Sequence, residues 1–391
     1  MNIFFQYFKI TLFSIIISFY SFEFYLNIYD PDKNLKQLKK SYKLQSNNDF
    51  DERSSIEIYN DLNKHTPHVM YVPPSIYKNS NNSVFPLAGI SYKDTIHCNE
   101  NGYYSVYTSD RYGFNNPDYE WDKKEIDFLL VGDSFTHGAC VNRPNDIASN
   151  LRLLSDKNVL NLGYSGNGPL IELATLREYS YSEVKNILWI YYEGNDLYDL
   201  NSELNDPTLI KYLQDDNFSQ NLLEKQIIID KLNNENINKS LYEFIPINEL
   251  KKDSELKYKI LKFIRLDKSK NKIKFFLQKK NKNSEIEIKS VLINFKKILK
   301  KVEEQASLEN ANFYFVYLPD INRYKKDQNN FYYFEVMDIL NELNIKVINI
   351  KTDFLDKESK PLKYYSFETF PHFNENGYKK ITQIIYNSLR Q

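Results

Sequence analysis

The chain has 391 residues, with 51 Lys and Arg against 52 Asp and Glu, a formal net charge of −1. That balance gives no global field to draw it to a polyanion, so nucleic acid is not an expected partner. At this length, with 42% hydrophobic residues, it can bury one large core plus appendages, or two domains.

The first thirty residues read as a separate unit. Residues 3–22 carry Lys9 as their only charge, and Glu23 closes the stretch. About 20 apolar residues span a bilayer as a helix. The uninterrupted core, 10–22, is also the size of a signal-peptide core, but no small-residue cleavage pattern follows it. A signal anchor over 1–30 is therefore expected, with a cleaved signal as the other reading. Lys33, Lys36, Lys39, Lys40 and Lys43 follow the span, which by the positive-inside rule argues for a cytoplasmic body. Cys98 and Cys140 bear on the same question. In an exported chain they read as a disulfide that would clamp the segment before the core onto the helix after Ser134; in a cytosolic chain they read as two small buried hydrophobes.

Residues 31–125 read as an N-terminal extension packing on the core. Its first part, 31–82, is polar, charged and partly helical and reads as a stalk; 83–121, rich in Tyr, Gly, Asn and Pro, reads as short strands and turns. From residue 126 strands and helices alternate: strands over 126–131, 159–162, 187–192, 313–317 and 346–350, helices over 147–154, 170–181, 288–308, 331–343 and 375–389. Such alternation implies a parallel sheet with right-handed crossovers. A charged, Asn- and Lys-rich insertion at 197–285 interrupts it. Within it, 251–282 holds 13 Lys and Arg against three acids, which reads as a solvated helical face or a contact with anionic lipid or polysaccharide.

Only ten glycines occur in the chain, and seven of them fall in four short blocks. The first block ends the first strand: an apolar run stops at Gly132, and Ser134 follows. The second is NLGYSGNGP at 161–169, the third YEGND at 192–196, and the fourth FPHFNENGY at 370–378, before the last helix. The first three each follow a strand, so they share the carboxyl edge of one sheet. A serine, backbone amides, a side-chain amide and a late histidine are the parts of an acyl-transfer site. Asp133 and Asp196 read as loop braces and His137 as a packing residue. No metal-ligand spacing links His65, His68 and His97, so neither metal nor cofactor is expected.

These four blocks resemble the SGNH hydrolase superfamily, the GDSL-type esterases. The resemblance covers 126–196 and 286–391 and implies a three-layer α/β/α, flavodoxin-like fold. It implies Ser134 as nucleophile and His372 as general base, with the Ser134 amide, the Gly166 amide and the Asn195 side chain as oxyanion hole. Two departures stand out. Glu193 occupies a position where the family usually has glycine. The family's aspartate two or three residues before the histidine is missing, leaving Glu368, Asp320 or Asp353 as candidates to orient His372, or a Ser–His dyad. The expected activity is removal of small O-acyl groups from a small-molecule or envelope polysaccharide substrate, by a single-pass protein of a bacterial inner membrane with a periplasmic body. An O-acyltransferase and a catalytically weakened carbohydrate-binding or scaffold protein are the alternatives.

Overall fold

A computed structural model describes residues 2–28, 33–46, 49–80, 82–180, 183–253, 255–270, 272–273, 288–325 and 332–390. It divides into two compact units, one of Met1–Phe50 with Lys239–Ile286, the other of Asp51–Asn238 with Glu287–Gln391.

In the first unit, helix α1 (Asn2–Ile28) contains a 22-residue stretch, Phe5–Leu26, long and apolar enough to cross a membrane. Glu23 near its end is buried, and its carboxylate accepts the Lys268 and Ser269 N–H groups at 3.1 and 2.7 Å and the Ser269 hydroxyl at 2.6 Å. The basic run expected at 251–282 begins in helical segments ending at Asp253 and Ile264; its residues 274–282 lie outside the described residues.

The second unit is built on five strands: β1 (Phe128–Gly132), β2 (Val159–Asn161), β3 (Asn186–Tyr192), β4 (Asn312–Leu318) and β5 (Lys346–Asn349). All pair in parallel, in the order β2-β1-β3-β4-β5. The near-continuous apolar runs of β1 and β3 follow from burial on both faces, as parallel sheets require. On one face Leu130, Leu188, Ile190 and Val316 pack with Ile147 and Leu151 of helix α2 (Ile147–Ser155) and with Tyr378, Ile381 and Ile385 of α6 (Glu375–Leu389). The other face carries α3 (Pro169–Tyr179) and α4 (Ile288–Leu308), where Phe295 meets Tyr191 and Phe315 with ring centroids 5.5 and 6.3 Å apart. Helix α5 (Tyr333–Glu342) links β4 to β5. The molecule therefore has a parallel central sheet flanked by helices.

The extension holds more than the polar, partly helical stalk expected over 31–82. Residues 51–125 belong to the same unit as the sheet and carry structure of their own. Ser54 and Glu57 form a capping box at helix Ser55–Leu62. A three-stranded sheet follows, with Asp94–Ile96 parallel to His68–Met70 and antiparallel to Val106–Thr108. Asp110 then gathers the Tyr112 and Phe114 N–H groups, the Asn116 amide and the Trp121 indole N–H at 2.7–3.0 Å, fixing an otherwise irregular loop. Cys98 and Cys140 form a disulfide that ties this segment to the turn after β1.

Candidate active site

Strand order reverses between β1 and β3, and the carboxyl edge at such a switch point is where open α/β sheets bind ligands. Ser134 follows β1 there. Gly132 permits the turn, since a β-carbon at that position would meet the Ile190 carbonyl oxygen at 2.5 Å and the Thr136 side chain. Asp133 braces the turn, its carboxylate accepting the Phe135 N–H at 2.9 Å and lying 3.2 Å from the Ser134 hydroxyl. Burial pushes the Asp133 carboxyl up from its ordinary range.

His372 arrives from the loop before α6. Its Nε2 lies 2.9 Å from Ser134 Oγ, within hydrogen-bond reach. The ring packs 5.0 Å from Phe135, and Ser366 N–H donates to the His372 carbonyl at 3.0 Å. Asn374 caps α6 by accepting the Gly377 N–H at 2.9 Å, which sets where the loop ends.

The carboxylate beside His372 is Glu100, from the extension. Its Oε2 lies 3.0 Å from His372 Nδ1 and accepts the His372 backbone N–H at 3.2 Å. The approach to Nδ1 is oblique: the separation fits an ion pair, but the ring N–H is not aligned for a hydrogen bond. Catalytic hydrogen bonds are commonly loose without substrate and tighten on binding. None of the three carboxylates weighed from sequence takes this place. Glu368 is exposed, on a left-handed residue (φ 55°) whose N–H donates to Tyr365. Asp320 caps the turn after β4 and accepts the Tyr192 hydroxyl. Asp353 accepts the Asn349 N–H at 3.2 Å. Local spacing held no sign of Glu100, 272 residues from His372; the one pointer was Cys98, two residues before it.

Gly166 sits in the loop after β2 with φ +79°, a left-handed conformation that favours glycine. The peptide joining it to Ser165 is clamped, because the Tyr71 hydroxyl donates to the Ser165 carbonyl. In a planar trans peptide the N–H points opposite the C=O, so this clamp also aims the Gly166 N–H. Ser165 N–H donates to His137 Nδ1 at 3.1 Å, and the Ser165 hydroxyl lies 3.0 Å from His97 Nε2. The His97 and His137 rings stack at 4.6 Å. Burial pushes both imidazoles down, His97 to about 3, so both are neutral. Asn195 follows β3; its Nδ2 donates to Asp199 at 2.8 Å, and its side chain also interacts with the Asp133 carboxylate beside Ser134.

Glu193 also has a clear place. It is fully buried, with Arg323 donating to it twice, at 2.7 and 2.6 Å, and the Asp320 N–H once, at 2.8 Å. A carboxylate there pins the loop after β4. Glu100, Cys140 and His372 each bring a metal-ligating atom within 4.8 Å of the others, but the Cys140 sulfur is in the disulfide and has no thiolate to give.

No protein-family model matches the chain, and no curated protein matches it. Among solved structures it is similar to a protein assigned to the lipolytic G-D-S-L family from Desulfitobacterium hafniense DCB-2, at 14% identity and a TM-score of 0.35, over 68% of this chain and 99% of that one. It is similar to the acetyl xylan esterase AlAXEase at 10% identity and a TM-score of 0.35, over 68% and 100%. A third likeness is to the psychrotrophic esterase EstA from Pseudoalteromonas sp., in a structure inhibited by monoethylphosphonate, at 11% identity and a TM-score of 0.31, over 68% and 97%. These are distant likenesses in parallel-sheet topology, and nothing about activity or substrate rests on them.

Proposed function

We propose that the second unit is a serine acyl hydrolase of the SGNH type, held at a membrane by α1. The observation that carries this reading is the 2.9 Å approach of His372 Nε2 to Ser134 Oγ, with Glu100 on the far side of the imidazole. In the reaction Ser134 Oγ attacks the acyl carbon as its proton passes to His372 Nε2. The carbonyl oxygen gathers negative charge opposite the Ser134 and Gly166 amides and the Asn195 Nδ2. His372 then gives its proton to the departing alkoxide, and water repeats the sequence to release the acid. Glu100 keeps the ring in the tautomer with Nε2 open and stabilises the imidazolium between the steps. Each oxyanion donor contributes about 3 kcal/mol of barrier lowering.

The substrate class that fits is an O-acylated alcohol or sugar, with envelope polysaccharide as the natural source. The disulfide supports an exported body, since cystines persist in oxidising compartments, against the lysines that follow α1. A fluorophosphonate probe tests the reading: it should label Ser134, and Ser134→Ala should abolish both labelling and ester hydrolysis while leaving the melting temperature within a few degrees. Undiminished labelling in that variant removes Ser134 from the mechanism.

A further inference from the structure

Glu100 reaches His372 from outside the sheet, so something must hold it there. We propose that the Cys98–Cys140 cystine and Asn101 are positioning residues that fix the Glu100 carboxylate against His372, which makes turnover depend on the oxidation state of the cystine. This rests on the hydrolase reading and extends it.

The segment bearing Glu100 is a loop whose ends are tied by the His97 N–H to the Ser105 carbonyl and by the Ser105 N–H to the Cys98 carbonyl, both at 2.9 Å. Its further ties within the extension, Asp51 N–H to Gly102 at 2.9 Å and the Asn99 amide to Asp51 at 2.8 Å, shape the loop but do not attach it to the sheet. Beside the His97–Ser165 contact at 3.0 Å and the Val106 N–H donating to Asn142 at 2.9 Å at the loop's ends, attachment comes from four places. The cystine joins Cys98 to the turn six residues after Ser134, with the two α-carbons 4.9 Å apart. Asn101 donates to the Cys140 carbonyl at 2.9 Å and accepts the Ser366 hydroxyl at 2.9 Å, so one amide links the cystine to the histidine loop. Tyr103 donates to Glu375 at 2.7 Å on an exposed edge. The last is Glu100 itself.

Only the cystine is covalent, and it is adjacent to the chemistry: the Cys140 sulfur, a Glu100 oxygen and a His372 ring nitrogen all lie within 4.8 Å of one another. Reduction by a dithiol adds two electrons and two protons, leaves two thiols and converts the reductant to its own disulfide. Two thiol sulfurs no longer bonded must move to van der Waals separation. That displaces Cys98, and with it the residue two positions on. A shift of about 1 Å in a catalytic constellation can cost about 10²-fold in rate.

The test uses the full-length protein, reconstituted in detergent, hydrolysing p-nitrophenyl acetate. Dithiothreitol should lower kcat by about 10- to 100-fold with little change in KM, and reoxidation should restore it. Cys98→Ser with Cys140→Ser should sit at the reduced level and ignore the reductant. Glu100→Gln should also ignore it, and adding the two serine substitutions to Glu100→Gln should cost nothing more, because the cystine acts only through that carboxylate. A purely structural cystine would instead lower both backgrounds alike. Should the cysteine variant fail to fold, Asn101→Ala leaves the sulfurs intact and should lower kcat in the same sense. Ser134-dependent turnover that reduction leaves unchanged, or a full additive loss in the triple variant, overturns the positioning role. Absence of Ser134-dependent turnover in the oxidised protein overturns the hydrolase reading, and this inference with it.

Discussion

In the sheet core, Ser134, Gly166 and Asn195 each occupy the loop after a parallel strand, and His372 the loop before the last helix. Their positions follow from element order, because every strand delivers its next loop to the same edge. In the 51–125 segment, Tyr71, His97 and Glu100 reach that same edge from a small sheet and irregular loops, held by the cystine and by side-chain hydrogen bonds. On the proposed reading the core supplies the reacting groups and the extension the groups that aim them, so the carboxylate beside the histidine comes from a part of the chain outside the sheet.

The largest expected effect breaks this division at its most consequential point. Glu100→Gln should lower kcat by about 10³- to 10⁴-fold, the scale of losing the group that fixes the imidazole tautomer. Glu368→Gln, on an exposed residue of the core, should stay within about twofold, as a surface change away from the site does. Measured side by side with an ester substrate, equal losses in the two variants would return the orienting role to the histidine loop. A negligible loss in Glu100→Gln would make the site a Ser–His dyad.

A smaller effect is expected from the aiming of the oxyanion donor. Tyr71→Phe removes the hydroxyl that clamps the Ser165 carbonyl while keeping the ring, whose centroid lies 4.6 Å from His97 and 5.2 Å from Tyr164. The Gly166 N–H is then less well aimed but still present. The loss should therefore fall below the 10²- to 10³-fold cost of deleting such a donor, at about tenfold in kcat with KM nearly unchanged. A change in KM alone would place Tyr71 in substrate binding instead.

The same division decides what could be read from the sequence. The strand expected over 187–192 is found as Asn186–Tyr192, and the helix over 375–389 as Glu375–Leu389, because apolar runs and caps such as Asn374 are local signals. The first strand starts later than expected, at Phe128, since Glu125–Ile126 pairs separately with Glu183–Val184. The placing of Ser134, Gly166 and Asn195 in loops after parallel strands was legible from block order, whereas His372 beside Ser134 was expected from the family resemblance alone. The stalk read over 31–82 was expected to be partly helical, and a capped helix lies there; what its polar composition did not show is a strand whose partner is Asp94–Ile96, 26 residues on. Glu100 was out of reach for the same reason: apart from Cys98 two residues before it, nothing within a turn or strand of it marks it as different from any other acid. Glu193 was seen only as a departure from glycine, and its reason is Arg323, 130 residues away.

The smallest effect concerns stability rather than rate, and it sharpens the picture of the extension as a packing partner of the Gly166 loop. His97 packs against both Tyr71 and His137, and burial lowers its pKa from 6.5 to about 3. The unfolded chain therefore binds a proton at about pH 6.5 that the folded protein refuses until about pH 3. Stability contributed by the neutral ring is fully present above pH 6.5 and is lost as pH falls through the window down to 3. At pH 5 the loss is at most about 2 kcal/mol, from 1.36 kcal/mol per unit below the unfolded value. His97→Gln has no proton to exchange, and its amide can still meet the Ser165 hydroxyl. Its melting temperature should start lower at pH 8 and then fall by a few degrees less than that of the unaltered protein on acidification to pH 5. His137, buried in both proteins, contributes to both curves and drops out of the difference. Parallel melting curves across that range would mean that His97 is hydrated and able to accept a proton in place, and that the extension covers the Gly166 loop less tightly than the ring stack implies.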